Sequence, residues 1–209
     1  MRNLLVDSTV LAAMWMTACG GAVAKAPAIK DAFADDFRVG TALGTAQLMG
    51  EEPAALELSA RQFNAITPEN CLKWALVHPE PEEYDFEASD RFVEWGEAND
   101  MFIVGHTLVW HNQTPRWAFE GVGGKPMDRE TALARLKEHI ETVAGRYKGR
   151  IDAWDVVNEA IDDEGKLRTG PVGEWPRRGW PWSEAIGGDY LEQPFLFAHA
   201  ADPDAELYY

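Results

Sequence analysis

The chain has 209 residues, which as a prior means one to two domains. Its composition is 46% hydrophobic and 11% aromatic, so a folded core is expected rather than disorder. The formal charge of −16 argues against nucleic acid and anionic membrane surfaces, which attract Lys and Arg, and leaves neutral ligands open.

Residues 1–26 differ from the rest. "MRN" carries one positive charge, residues 8–18 ("STVLAAMWMTA") carry none, and "CGGAVAKA" follows. A basic start, a short apolar centre and small residues at the exit resemble a secretory signal. The product is then expected to be secreted or periplasmic. The apolar run is too short for a membrane span. "MTAC" before Gly20 also resembles a bacterial lipoprotein cleavage box. That reading makes Cys19 a lipid anchor and the protein a surface or outer-membrane lipoprotein. Either way Cys71 is left alone, with no disulfide framework or zinc spacing, and is expected to be a small buried apolar residue.

Residues 27–209 contain no internal repeat, low-complexity tract or long linker. "FRVGTALG" (residues 37–44) reads as a strand turning into a glycine-rich loop. "LELSARQF" places Leu56, Ala60 and Phe63 at helical spacing, and "FNAITPEN" follows as a short strand stopped by Pro68. "ASDRFVEWGEA" predicts a helix with Ala88, Phe92 and Trp95 on one face and Asn99 near its end. "MFIVGHTLVWH" is a long apolar strand that ends in polar residues. Asp128 is the expected N-cap of the next helix, whose inward side shows Leu133, Leu136, Ile140, Val143 and Tyr147. "IDAWDVVNEA" is a further strand. "FLFAHAA" is the core of another helix, which Pro194 predicts to start late, and "AELYY" opens a fifth strand.

The order is βαβαβαβαβ, with strands beginning near residues 37, 64, 102, 151 and 206. Apolar strands separated by helices predict a parallel sheet covered on both faces. A doubly wound sheet would carry a glycine-rich phosphate loop, and "GTALGT" is not G-x-G-x-x-G. Polar clusters close strand after strand instead: "PEN", then "HTLVWHN", then "NEA". That is how an α/β (β/α)8 TIM barrel builds a site. Such a barrel takes about 250 residues. About 180 remain here beyond the leader, so an incomplete barrel of four βα units plus the start of strand five is expected, with open edges at strands one and five.

The strand-end clusters carry the chemistry. Glu159 ends an apolar strand, where a carboxyl group in a dry site can serve as a general acid; a capping or surface-paired Glu is the plain alternative. Alternation sends Asp155, Val157 and Glu159 one way and Trp154, Val156 and Asn158 the other. Glu69, Asn70 and Lys73 mix donors and acceptors within five residues, which suits sugar hydroxyls. Glu69 and Lys73 could equally be an i, i+4 ion pair on a helix. His106, Leu108 and Trp110 alternate onto one face, offering an imidazole and an indole to a sugar ring, or a satisfied core histidine. His106 and His111 would fall on opposite faces, and no H-E-x-x-H occurs, so neither a metal site nor a cofactor is expected. No G-x-S-x-G elbow occurs either.

Taken together, "ITPENCLKW", "GHTLVWHNQTP" and "WDVVNEAIDDEGKLR" resemble glycoside hydrolase family 10, the retaining endo-β-1,4-xylanases. The resemblance runs from about Phe37 to Tyr209. It implies that Glu159 is the general acid/base and that Asn158 binds the 2-hydroxyl beside the cleavage point. It implies that Glu69, Asn70 and Lys73 contact sugars on the non-reducing side, with His106, Trp110 and Gln113 along the subsite next to the scissile bond. It implies xylan or xylo-oligosaccharides as partners and a monomer in the intact enzyme. The family's nucleophile is a glutamate at the end of the seventh strand, which this sequence does not reach, so the chain by itself is expected to be inactive. A non-catalytic xylan- or partner-binding half-barrel, and a related barrel acting on β-glucan, are the competing readings.

Overall fold

The computed structural model describes residues 26–121, 127–170 and 180–209. The leader expected over residues 1–26, with Cys19, lies outside the described residues except for Ala26. The elements in order are α1 (Ile29–Ala32), β1 (Gly40–Leu43), α2 (Thr45–Leu48), α3 (Pro53–Gln62), β2 (Ala65–Pro68), α4 (Trp74–Val77) and α5 (Glu87–Ala98). There follow β3 (Phe102–Val109), a 3-10 turn (Arg116–Phe119), α6 (Arg129–Arg146), β4 (Ala153–Val157), α7 (Pro181–Ile186), α8 (Glu192–Ala201) and β5 (Glu206–Tyr208).

The strands form one five-stranded sheet in the order β1-β2-β3-β4-β5, every neighbouring pair parallel. This is the expected incomplete (β/α)8 barrel. The core is thickest around β2, β3 and β4, where Ile66, Ile103, Leu108, Trp154 and Val156 are fully buried. The edge strands β1 and β5 keep exposed positions.

Helix α6 starts where its cap dictates. The Asp128 carboxylate accepts from the Thr131 N–H and satisfies one orphan donor of the first turn. Its buried face carries Leu136, Ile140 and Val143 as expected, but His139 lies there too, and Leu133 only borders the core. Helix α5 differs more. It buries Ser89, Phe92, Val93 and Gly96, so its inward face is rotated from the expected Ala88–Phe92–Trp95 stripe. Small residues let that side approach the sheet. Helix α8 starts late, as Pro194 predicts, and leaves Asp189, Tyr190 and Leu191 outside it. Pro194 sits third in the helix that begins at Glu192, within the first turn, where no intrahelical N–H bond is required.

Two packing arrangements underpin the sheet and the loops above it. Gly105 on β3 is paired in register with Trp154 on β4, and a Cβ at Gly105 would lie 2.3 Å from the Trp154 ring. The indole therefore fills the volume a side chain there would need. Behind the site, Trp74 stacks on His139 at 3.7 Å between ring centres and on Trp182 at 5.3 Å. His139 Nδ1 lies 3.1 Å from His78 Nδ1, and His78 Nε2 lies 3.3 Å from the Pro81 carbonyl. A carbonyl oxygen only accepts, so His78 carries its proton on Nε2 and its Nδ1 accepts from His139. Burial, reinforced by His78, holds the His139 imidazole well below its ordinary value.

Two outcomes follow. Gly105→Ala should destabilise the protein by about 1–3 kcal/mol in chemical denaturation, because the Trp154 ring must move out of a filled core. The histidine pair folds neutral, whereas in the unfolded chain His139 titrates near its ordinary value of 6.5. Below that pH the unfolded state binds more protons, so this contribution is whole above it and lost as pH falls through the lower folded value. The thermal midpoint should therefore drop between about pH 7 and pH 5. His139→Gln, which keeps a donor but cannot titrate, should flatten that slope.

Candidate functional site

The candidate residues gather where β2, β3 and β4 end. Glu69 leaves β2 directly after Pro68, and its N–H donates to Leu43 O at 2.9 Å, which holds it at the tip of β1 as well. Its carboxylate rests against Gly44, where a Cβ would lie 2.9 Å from Glu69 Oε2. The next residues form a turn, closed by Lys73 N–H to Asn70 O at 2.8 Å, and helix begins only at Trp74. Glu69 and Lys73 are therefore not on one helical face. Lys73 Nζ instead donates to Asn70 Oδ1 at 3.2 Å and lies 4.9 Å above the Trp110 ring. Burial draws the Lys73 ammonium below its ordinary value, opposed by the carboxylates of Glu69 and Glu159. Cys71, inside this turn, is buried, and burial pushes its thiol up to about 12, which leaves it an inert apolar filler.

The β3 end departs from simple alternation. Pairing with β4 runs in register through His106–Asp155 and then shifts before Val109–Val157. Thr107, Leu108 and Val109 are all buried, so this end of β3 is covered on both faces. Trp110 stands just past the strand and is partly buried. Gln113 has a left-handed backbone (φ 43°), and its carbonyl accepts from Ala75 N at 2.7 Å. Its side chain donates to Asn70 Oδ1 at 3.3 Å, so the loops after β2 and β3 are tied together twice.

The β4 end presents the acid. The strand stops at Val157, and Asn158 N–H donates to Val109 O at 2.9 Å. Glu159 then turns into the left-handed region (φ 57°), so strand alternation does not set its direction. Its Oε2 accepts from Trp110 Nε1 at 2.9 Å, and His111 Nε2 lies 3.9 Å away. The side chain is 49% exposed, so the carboxyl group is fixed and still reachable. Asn158 is half-buried, and its side chain makes no hydrogen bond among the described residues.

Glu159, Trp110, Lys73, Asn70 and Gln113 thus form one contiguous group, with Glu69 joined through Gly44 and through its charge on Lys73. His106 stands deeper, half-buried, with Nδ1 2.8 Å from Asp155 Oδ2. Asp155 also accepts, through its carbonyl, from Thr107 Oγ1 at 2.9 Å. Asp155, His111 and Gly44 were not singled out from the sequence. The first could have been: in-register parallel pairing of "GHT" with "WDV" puts Asp155 beside His106. The arrangement offers a carboxyl group able to exchange a proton, an indole face, and alternating donors and acceptors for hydroxyl groups. Among the described residues no group of three or more His, Cys, Asp or Glu could hold a metal, and no helix is long and apolar enough to cross a membrane.

The family model for glycosyl hydrolase family 10 matches residues 28–209. Endo-1,4-beta-xylanase B of Paenibacillus barcinonensis is 45% identical over 183 residues, which is 88% of this chain and 52% of that protein. Endo-1,4-beta-xylanase A of Xylanibacter ruminicola is 42% identical, covering 88% of this chain and 47% of that one. Among solved structures, a family 10 endoxylanase retrieved from a sugarcane soil metagenome superposes with a TM-score of 0.79 at 48% identity, over 87% of this chain and 50% of its own. Xylanase 10B of Thermotoga petrophila, in complex with xylobiose, gives 0.76 at 36% identity, over 88% and 53%. The chain spans about half the length of these relatives. On the match over residues 28–209 and on these identities, the chain belongs to glycosyl hydrolase family 10.

Proposed function

We propose that the protein carrying this chain hydrolyses internal β-1,4-xylosidic bonds of xylan and xylo-oligosaccharides by a retaining double displacement. One observation carries the reading: Glu159 stands exposed at the tip of β4, its Oε2 fixed by the Trp110 indole at 2.9 Å. Glu159 gives its proton to the leaving oxygen while a second carboxylate attacks the anomeric carbon; it then takes a proton from the water that releases the sugar. In retaining enzymes the two carboxyl groups stand about 5–5.5 Å apart. Among the described residues no carboxylate makes contact with Glu159, so they supply the acid/base half of the site. The names of the relatives support xylan as the polymer.

In this reading Asn158 meets the sugar 2-hydroxyl, and Glu69, Asn70 and Lys73 hold sugars on the non-reducing side. His106, Trp110 and Gln113 form the wall beside the scissile bond. Partly exposed Asp155 orients the His106 ring through Nδ1, which leaves Nε2 for substrate. No cofactor is needed. Export, with or without a lipid anchor at Cys19, rests on the pattern of residues 1–26. The reading takes the intact protein as a monomer, since the acid/base and the sugar-binding groups named here come from one chain.

Glu159→Gln should lower kcat/KM on xylan by about 10²–10⁴-fold, the usual worth of a general acid/base. Unchanged turnover would sink the assignment. Purified residues 27–209 alone should release no reducing sugar from xylan. Gly44→Ala should push the Glu69 carboxylate aside and raise KM about fivefold with kcat little changed, equivalent to about 1 kcal/mol for one weakened hydrogen bond.

A further inference from the structure

The loop after β4 returns on itself. Ile161 and Leu167 form an isolated antiparallel bridge, and Asp162 N–H donates to Lys166 O at 2.8 Å. The turn between them is closed by Gly165 N–H to Asp162 O at 3.0 Å and by the Asp162 carboxylate, which accepts from the N–H groups of Glu164 and Lys166. This hairpin brings Arg168 back to the strand end. There its N–H donates to Ala160 O at 2.7 Å, and its side-chain Nε donates to Glu159 O at 3.0 Å. The Tyr190 hydroxyl donates to Arg168 O at 3.3 Å and fixes the far side of the same residue.

These bonds fall on a residue whose backbone needs them. Glu159 has φ 57°, and a non-glycine residue stays in that region only when its surroundings over-determine it. Ahead of it, Asn158 N–H is tied to Val109 O. Behind it, both carbonyls, of Glu159 and of Ala160, are taken by Arg168. Among the described residues the Glu159 side chain is held at Oε2, by the Trp110 indole at 2.9 Å with His111 Nε2 3.9 Å away. The direction of its Cα–Cβ bond is therefore set by the peptide that Arg168 holds.

We infer that Arg168 is a positioning residue for the proton transfer, acting through the Glu159 carbonyl and not on substrate. The inference rests on the acid/base role proposed for Glu159. It assigns the function to the Nε–H donor and not to the positive charge. Gln places Nε2 the same number of bonds from Cα as Arg Nε, so Arg168→Gln keeps the donor without the charge. Arg168→Met has a matching length and no donor.

The test compares the wild-type full-length protein, R168Q and R168M on two substrates. One is a xylo-oligosaccharide, whose leaving oxygen must be protonated. The other is 2,4-dinitrophenyl β-xylobioside, whose leaving group departs without a proton. R168M should lose about 10²-fold in kcat/KM on the oligosaccharide and less than about threefold on the aryl substrate, since misplacing a proton donor hurts only the reaction that needs it. R168Q should stay near wild type on both. Hydrogen exchange should rise in R168M around residues 158–161 and not in β2 or β3. Equal losses on both substrates would make Arg168 merely structural, and an R168Q as poor as R168M would make it a charge effect; either overturns the proposal. A wild-type protein that cleaves neither substrate would refute the xylanase reading instead. The exchange data would then decide alone, unchanged exchange around residues 158–161 in R168M overturning the role of Arg168.

Discussion

The parallel pairing of β3 with β4 is the constraint on which the site depends. Backbone register along these strands sets which polar residues can meet at their ends. In register, it brings His106 to Asp155. After the shift before Val109, it ties Asn158 N–H to Val109 O and brings the Trp110 indole to Glu159. A slip of one residue would reverse every side chain. The Gly105–Trp154 contact opposes such a slip, because only glycine at 105 leaves room for the buried indole. Core packing and site geometry are thus fixed by the same pair of strands.

The loops above the strands have a second support. It comes from aromatic rings behind them. Trp74 follows Lys73 directly and is clamped between His139 of α6 and Trp182 of α7. That places the start of α4, and hence the turn that carries Glu69, Asn70 and Lys73. The Ala75–Gln113 and Gln113–Asn70 hydrogen bonds carry the placement across to the loop after β3. Lys73 over the Trp110 ring completes the chain of contacts to Glu159. A polar, accessible surface is held by an apolar stack beneath it, which keeps these polar groups ordered at little entropic cost.

The alternation of strands and helices was readable because strands buried on both faces leave apolar runs that end abruptly in polar residues. For the same reason the clusters at 69–73, 110–113 and 158–159 could be placed at strand tips, with His106 further back in β3. What could not be read is what happens past the last ladder bond. Glu159 turns left-handed, and the β3 register shifts, so period-two reasoning does not reach either end. The inward face of α5 was misjudged because Gly96 and Ser89 carry no hydrophobic signal, although closeness to the sheet favours small residues. His78 and His139 gave no sign of forming a neutral buried pair, since a shared proton is a tertiary fact. Asp155 carried no signal of its own; only the register of β3 against β4 puts its carboxylate 2.8 Å from His106 Nδ1.

The central claim is that Glu159 is the acid/base of a retaining pair. The direct measurement uses Glu159→Ala in the full-length protein with 2,4-dinitrophenyl β-xylobioside and sodium azide. Azide attacks the glycosyl-enzyme without needing a base. The account predicts that azide restores turnover and that the product is the β-configured glycosyl azide. No response to azide, or an α-configured product, would contradict it.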